Sequence, residues 1–490
     1  MKELTRSLIL AGSIILFFWA SGLLVRKKAV RHEVVRKTVH VLSGTACAVC
    51  VFFFESPGAL LILVCFFIPF FVISARVSLF PGVYRKDRHS YGPAFLAAAC
   101  GALFLLFWQD KFVIFAALMT AACADSAAAV IGTRFPRGEY EIEGNRRTLA
   151  GSAAMWIATL VVVDVSLWRF TALGPLGGLP VAIACATFVT ATEAVSPSDA
   201  DNFAIPLMCA LVLHLMSPFS VPGIVLFWGR TAVLIVVAVV SWRAGFLGAG
   251  GAIGVFLIGS IIFVTGGPAW FIPILVFFFS SSLISKWRKE HKAELRAFHA
   301  KSGPRDIRQV LAKGGIPCLL AICFSFTADQ RLYFAYLCSL AAANADTWAS
   351  EIGLLSRRAP VSILNWKPVI RGTSGGVSVT GYAAAGLGAM VIGAVGVPFY
   401  SAEHIKTRAA FLALVALAGV LACTGDSILG AAAQAKLRCS RCGEITENPN
   451  HCGEDTGVLA SGKIWVNNEV VNLVCSFTGA AFALMVAYYM

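Results

Sequence analysis

Cys123-Ala124-Asp125-Ser126-Ala127-Ala128-Ala129-Val130-Ile131-Gly132 and Asn344-Ala345-Asp346-Thr347-Trp348-Ala349-Ser350-Glu351-Ile352-Gly353 set a carboxylate beside a hydroxyl within an apolar segment, twice in one chain. Each is followed, after a polar loop, by a basic residue and a small-residue turn: Arg147-Thr148-Leu149-Ala150-Gly151-Ser152 in the first half, Arg371-Gly372-Thr373-Ser374-Gly375-Gly376 in the second. The chain reads as two related membrane modules in tandem.

The composition excludes a soluble globule. Of 490 residues, 58% are hydrophobic and 13% charged, about half the charge of a soluble domain, and the mean hydropathy is +0.78. Apolar runs long enough to cross about 30 Å of hydrocarbon fall at 7–25, 38–54, 57–75, 91–108, 112–133, 149–168, 177–195, 203–221, 223–242, 246–266, 268–285, 314–328, 331–353, 373–397, 409–433 and 470–489. Lipid offers backbone groups no water, so these runs are expected to be helices. The expected fold is an all-α polytopic integral membrane protein with about 16 transmembrane helices. The first run lacks a small-residue cleavage site ahead of Arg26, Lys27 and Lys28 and reads as a retained helix. Three segments follow: an N-terminal helix over 1–29, one module over 30–243 and a second over 244–490. The Gly-rich run Gly245–Gly254 does not fit G-x-G-x-x-G; it marks close helix packing at the module boundary near Arg243.

The net charge of +14 gathers in 26–37, 85–88, 134–147, 286–308 and 357–371. Basic loops stay cytoplasmic, and counting two helices between clusters puts them on one side with the amino terminus outside, as in a bacterial inner membrane. Short basic loops between spans argue against a nucleic-acid partner. The segment 286–308 reads as a solvated helix near anionic lipid, and Trp and Tyr near span ends as interfacial anchors.

Carboxylates within spans are costly and usually functional. Asp125 and Asp346 lie toward the cytoplasmic ends of their helices, Asp426 repeats the pattern in Gly425-Asp426-Ser427, and Glu193 precedes Ser198-Asp199-Ala200-Asp201-Asn202. That arrangement suits phosphoryl transfer at a membrane surface, which needs carboxylates for Mg²⁺, cations for a polyphosphate and backbone N–H donors. In the first module Asp125, Glu193, Asp199 and Asp201 supply the acids, Lys37, Arg146 and Arg147 the cations, and Thr148, Gly151 and Ser152 the turn. In the second, Asp346, Glu351 and Asp426 stand with Lys367, Arg371, Thr373, Ser374, Gly375, Gly376 and Asn468. The alternative is that these residues cap helices or pair internally. His40 fits either substrate phosphate or an interfacial helix start. No G-x-x-x-x-G-K-[ST] occurs, which excludes a soluble P-loop kinase.

Most of the 15 cysteines lie singly in spans, where they behave as small apolar residues. Cys439, Cys442, His451 and Cys452 differ: they sit in a polar loop over 436–468, and their spacing fits a Cys₃His structural Zn²⁺ site, the alternative being reduced thiols and an imidazole with no metal; a loop in the reducing compartment disfavours a disulfide.

Residues 30–222, through Arg36-Lys37-x-x-His40, Ala124-Asp125-Ser126, Arg147–Ser152, Glu193, Asp201-Asn202 and Pro206, resemble the CTP-dependent polyprenol kinases of phytol, farnesol and dolichol. Residues 244–490 resemble the membrane family that includes plant phytyl-phosphate kinase. The motifs are Arg305-Asp306-x-x-Gln309-Val310-Leu311-Ala312, Asn344–Gly353, Gly372–Ser378, Gly425-Asp426-Ser427 through Gln434, the Cys/His cluster, Asn467-Asn468 and Val471-Asn472. The chain departs from these patterns at Arg146-Arg147, where lysines are expected, and at Lys313, where asparagine is. The resemblance implies a bifunctional kinase that converts an isoprenoid alcohol such as phytol to its monophosphate and then its diphosphate, with CTP as donor and Mg²⁺ as cofactor. It implies Asp125 and Asp346 as the central Mg²⁺-linked acids, with Asp199 and Glu351 sharing the metal. The rivals are a CTP-dependent lipid cytidylyltransferase, which would release pyrophosphate, and a repeat-built transporter.

Overall fold

The computed structural model describes residues 2–26, 32–77, 79–80, 83–84, 90–287, 303–400, 407–447, 450–452, 454–455 and 458–489. The basic cluster expected at 85–88, and most of the basic segment expected at 286–308, lie outside the described residues. The chain divides into two compact units, Met1–Trp228 and Gly229–Met490.

Unit 1 contains α1 (Lys2–Arg26), α2 (His32–Cys50), α3 (Gly58–Arg76), α4 (Gly92–Phe107), α5 (Lys111–Arg134), α6 (Leu149–Phe170), α7 (Leu179–Val195) and α8 (Asp201–Met216). Helix α9 (Val221–Arg243) begins in it and ends in unit 2, so Arg243, the expected module boundary, is the last residue of α9. Unit 2 continues with α10 (Ala249–Lys286), α11 (Ile307–Thr327), α12 (Gln330–Gly353), α13 (Val379–Gly396), α14 (Arg408–Ala432) and α15 (Asn468–Tyr489). Helix α10 is two helices joined at a kink: Gly267 takes φ 63°, ψ −156°, and Pro268 follows, so the ladder breaks there.

The protein is an α-helical integral membrane protein. Among the described residues, 11 helices are long and apolar enough to cross a membrane, and α4, α7 and α8 are apolar but shorter. The expected sixteen exceeds this because the runs 246–266 and 268–285, which do part at Gly267, are counted together as α10, because those three helices are short, and because α12 carries polar residues such as Asn344, Asp346 and Glu351. Large exposed apolar side chains such as Ile62, Leu105, Val225 and Val236 belong against lipid.

A helix buried all round marks each core. In unit 1 it is α5, whose buried residues run from Val113 to Ser126 and which packs on α2, α6 and α8. In unit 2 it is α12, buried without interruption from Tyr333 to Ala345 and packed on α11, α13, α14 and α15. The central helices carry Asp125 and Asp346.

Both units then repeat one local device. An antiparallel strand pair follows the central helix: β1 (Glu139–Ile142) with β2 (Asn145–Thr148), and β3 (Val361–Ser362) with β4 (Gly376–Val377). The chain leaves each pair into a capped helix, Thr148 Oγ1 accepting from Gly151 N at 3.0 Å and Ser378 Oγ from Gly381 N at 3.1 Å. The capped helix approaches the central one backbone to backbone. A Cβ on Gly132 would lie 3.4 Å from Gly151 Cα, and one on Gly353 would lie 3.4 Å from Gly381 Cα. The partner of Thr148–Gly151 is therefore Ser378–Gly381, and the sequence pairing of 147–152 with 371–376 is corrected accordingly. The expected run 373–397 starts as a turn and strand, and its helix begins only at Val379.

The remaining strands build the Cys/His loop. β5 (Lys436–Arg438) pairs with β6 (Ile445–Thr446) and β9 (Val458–Ser461), and β7 (Asn450–His451) pairs with β8 (Glu454–Asp455).

Candidate active sites

In unit 1 the Lys37 ammonium, on α2, reaches Asp125 Oδ2 at 2.8 Å, and His40 Nε2 lies 3.6 Å from the same oxygen. His40 also lies 3.2 Å from the Ala121 carbonyl. Opposite them, Arg147 at the end of β2 places Nε 2.8 Å from Glu193 Oε1 and a terminal nitrogen 3.6 Å from Asp201 Oδ2. Asp199 accepts from the Tyr91 amide at 3.1 Å, and Asn202 packs where a Cβ on Gly92 would come within 3.0 Å of it.

These charges ring a cavity of about 240 Å³ lined by Lys37, Asp125, Arg147, Asp199, Asp201 and Asn202. Arg36, Lys37, His40, Ser43, Cys47 and Cys50 line it along one face of α2. At 1.5 Å per residue that face changes from charged to apolar over about 20 Å. Leu63, Val64, Phe67 and Phe71 of α3, with Leu96 and Phe104 of α4, continue the apolar wall. Such a space matches one hydrocarbon chain with a polar head.

Unit 2 repeats the acid–lysine pair. Lys313 Nζ lies 2.8 Å from Asp346 Oδ2 and donates to Thr347 Oγ1 at 2.7 Å. The expected run 314–328 starts too late, because Asp306 caps α11, accepting from Gln309 N at 2.9 Å, and so brings Lys313 inside the helix. Asp426 lies within electrostatic range of both partners, and its Oδ1 is buried with no hydrogen-bond partner among the described residues. The cavity here is about 940 Å³. Its polar wall includes Arg305, Lys313, Asp346, Glu351, Arg371 and Asp426, the turn Gly372–Gly376, and Asn468. Ile258, Phe271, Leu275 and Phe278 supply apolar wall. Gly375, at φ +79°, lets the turn press on α14, where a Cβ would lie 2.3 Å from Ala431 Cβ.

Residues 232–480 match the family described as integral membrane protein DUF92. The chain belongs to that family. It is similar to an uncharacterized membrane protein of Methanocaldococcus jannaschii, MJ0933, 31% identical over 237 residues, 48% of this chain and 84% of the relative. It is similar to a phytol kinase of Synechocystis sp., 32% identical over 186 residues, 37% of this chain and 78% of that one. Protein VTE6, chloroplastic, of Arabidopsis thaliana is 24% identical over 248 residues, 50% of this chain and 66% of that one. No solved structure matches.

The two acids of this DUF92 protein are both ion-paired, and both line their unit's cavity. Other expected residues stand elsewhere. Arg146 is 81% exposed and faces Glu141 across the strand pair at 3.5 Å, away from the cavity wall. The Gly151 amide is taken by Thr148, the Ser152 hydroxyl is hydrogen-bonded to Tyr140 at 2.7 Å, and none of Thr148, Gly151 and Ser152 lines the cavity, so this turn caps and packs a helix. Glu193 is buried behind Arg147 and does not line the cavity. Lys367 is exposed and absent from the unit 2 wall. Glu351 lines the wall and is countered by Arg305.

The structure also places residues to which the sequence assigned no role. Lys313 was a departure from pattern, and its match to Lys37 is visible only in the fold. Glu447 lines the unit 2 cavity and accepts from Gln434 Nε2 at 2.9 Å; a lone glutamate in a polar loop carries no sequence signal. Nearby, Cys439, Cys442, His451 and Cys452 bring their ligand atoms within 4.8 Å of one another. The Cys442 amide and the His451 ring pull the Cys439 thiol down to about 6.

Proposed function

We propose that this protein is a membrane lipid kinase with two sites, acting in turn on an isoprenoid alcohol and on its monophosphate. The observation that carries the reading is the duplicated acid–lysine pair, Lys37–Asp125 and Lys313–Asp346, each on the wall of a cavity that is charged in one part and apolar in another. The relative named phytol kinase supports the chemistry.

In unit 1 the alcohol carbon chain lies along the apolar face of α2, α3 and α4, which sets its hydroxyl among Lys37, Asp125 and Arg147. Arg36, Lys37 and Arg147 offer positive charge to the donor polyphosphate, CTP in this reading, and Asp125 accepts the hydroxyl proton. In unit 2 the acceptor is a phosphate monoester, already anionic, so Lys313, Arg305 and Arg371 serve mainly to neutralise and align charge. Mg²⁺ would be held by Asp125, Asp199 and Asp201 in the first site and by Asp346 and Asp426 in the second, where it would neutralise charge on the donor phosphates. The orphaned Asp426 oxygen and the excess of two acids over one lysine fit such a cation. Both polar ends face the cytoplasm in this reading.

The test is purified full-length protein in lipid nanodiscs given labelled CTP, Mg²⁺ and a panel of prenyl alcohols and monophosphates. Labelled mono- and diphosphate with CDP release are expected. Pyrophosphate release would instead establish a cytidylyltransferase, and no turnover with any acceptor would remove the kinase reading.

A further inference from the structure

The loop between α14 and α15 stands outside the transfer chemistry, yet its four soft ligands converge. We propose that Cys439, Cys442, His451 and Cys452 hold one Zn²⁺ ion in a closed tetrahedral site, and that this ion locks the loop so that Glu447 is held against the wall of the unit 2 cavity. The zinc site stands independently of the kinase reading.

The geometry fits the metal. His451 Nδ1 lies 3.5 Å from Cys442 Sγ and 3.4 Å from Cys452 Sγ. A tetrahedral ion with bonds of about 2.3 Å to sulfur and about 2.1 Å to nitrogen separates those atoms by about 3.6 Å. All three cysteines are free thiols, so no disulfide competes for them. The backbone is shaped for the purpose. Gly443 N donates to the Cys439 carbonyl at 3.0 Å and Cys439 N to the Glu444 carbonyl at 2.9 Å, and Gly443 takes φ +75°. This tight turn aims both sulfurs of Cys-x2-Cys the same way. On the other side Cys452 sits at φ +57°, a conformation that residues with a side chain rarely adopt. An ion bonded to its sulfur and to His451 accounts for holding it there.

Beyond its short strand pairs and the Arg441 guanidinium donating to the Cys452 carbonyl at 3.1 Å, the loop has little apolar core to order it. Ile445, Val458 and Leu459 are exposed, whereas Thr446 is buried. Beside Thr446, Glu447 accepts from Gln434 and lies next to Ser374 of the glycine turn. Glu447 falls between the two ligand pairs in sequence, so fixing Cys439–Cys442 to His451–Cys452 closes a short loop around it. Four protein ligands leave no open position for water or substrate, which makes the ion structural.

The experiment uses full-length protein purified in detergent. Metal analysis should find one zinc ion per chain, and Cys439, Cys442 and Cys452 should resist alkylation until a chelator is added. Cys442→Ser and His451→Ala, the latter keeping all three thiols, should each lose the zinc. Labelling of the buried Cys338 monitors whether either variant still folds. Chelation of wild-type protein should speed hydrogen exchange at 372–378 and 434–447. Protein that carries no zinc and takes up none when zinc is added would overturn the site, as would full zinc content in both folded variants. Unchanged exchange at 372–378 after zinc removal would overturn the coupling to the cavity.

Discussion

Replacing Lys313 with methionine should destabilise unit 2 strongly, and the size follows from the geometry. At 2.8 Å and an effective dielectric of about 20, the attraction to Asp346 is about 6 kcal/mol. Desolvation of both charges offsets part of this, and removal of one partner from a largely buried pair costs about 3–5 kcal/mol. The side chains are 21% and 14% exposed, so water screens them little. The loss also removes the cation that offsets the unfavourable approach of the Asp346 and Asp426 carboxyls. For a unit of this size the midpoint should fall by on the order of 10 °C. Thermal exposure of buried thiols, read residue by residue by mass spectrometry, separates the units: Cys338 and Cys475 report unit 2, Cys185 and Cys209 unit 1. The Cys338 midpoint should fall while that of Cys185 stays. Adding Asp346→Asn to Lys313→Met should recover at least half the loss, and millimolar Mg²⁺ should raise the single variant more than the parent. An unmoved Cys338 midpoint in Lys313→Met would refute the reasoning.

Gly132→Ala places a Cβ 2.9 Å from Thr148 Oγ1, whereas the nearest atom for Gly353→Ala lies at 3.4 Å. The first should cost about 1–3 kcal/mol and the second clearly less, by the same thiol-exposure assay. Arg147→Ala strands buried Glu193 and should cost unit 1 about 3–5 kcal/mol. Arg147→Lys should restore much of that stability but not donor affinity, since one ammonium cannot reach both Glu193 and Asp201 as the guanidinium does. Leu63→Trp fills the apolar wall of the unit 1 cavity and should raise KM for long prenyl alcohols more than for short ones, measured with a chain-length series.

The helices were legible because apolar runs in lipid leave the backbone no alternative to a helix. Asp125 and Asp346 were legible because a charge inside such a run is conspicuous. Lys313 was not, since it stands at the edge of an apolar run and only the Asp306 cap draws it into the helix. The strand pairs were hidden as well: β2 is Asn-Arg-Arg-Thr and β4 only Gly-Val, with no alternating apolar pattern to signal them. Matching small-residue turns by composition paired Gly151 with the wrong glycines. The true partner, Gly381, is defined by its approach to Gly353 across two helices.

The product pattern of two single-site variants tests the two-site kinase most directly. With labelled CTP and a prenyl alcohol, Asp125→Asn should abolish monophosphate formation while still converting added monophosphate to diphosphate. Asp346→Asn should do the reverse and accumulate the monophosphate. If each variant makes both products at the parent's rate, the twin acids are not the centres of two phosphoryl-transfer sites.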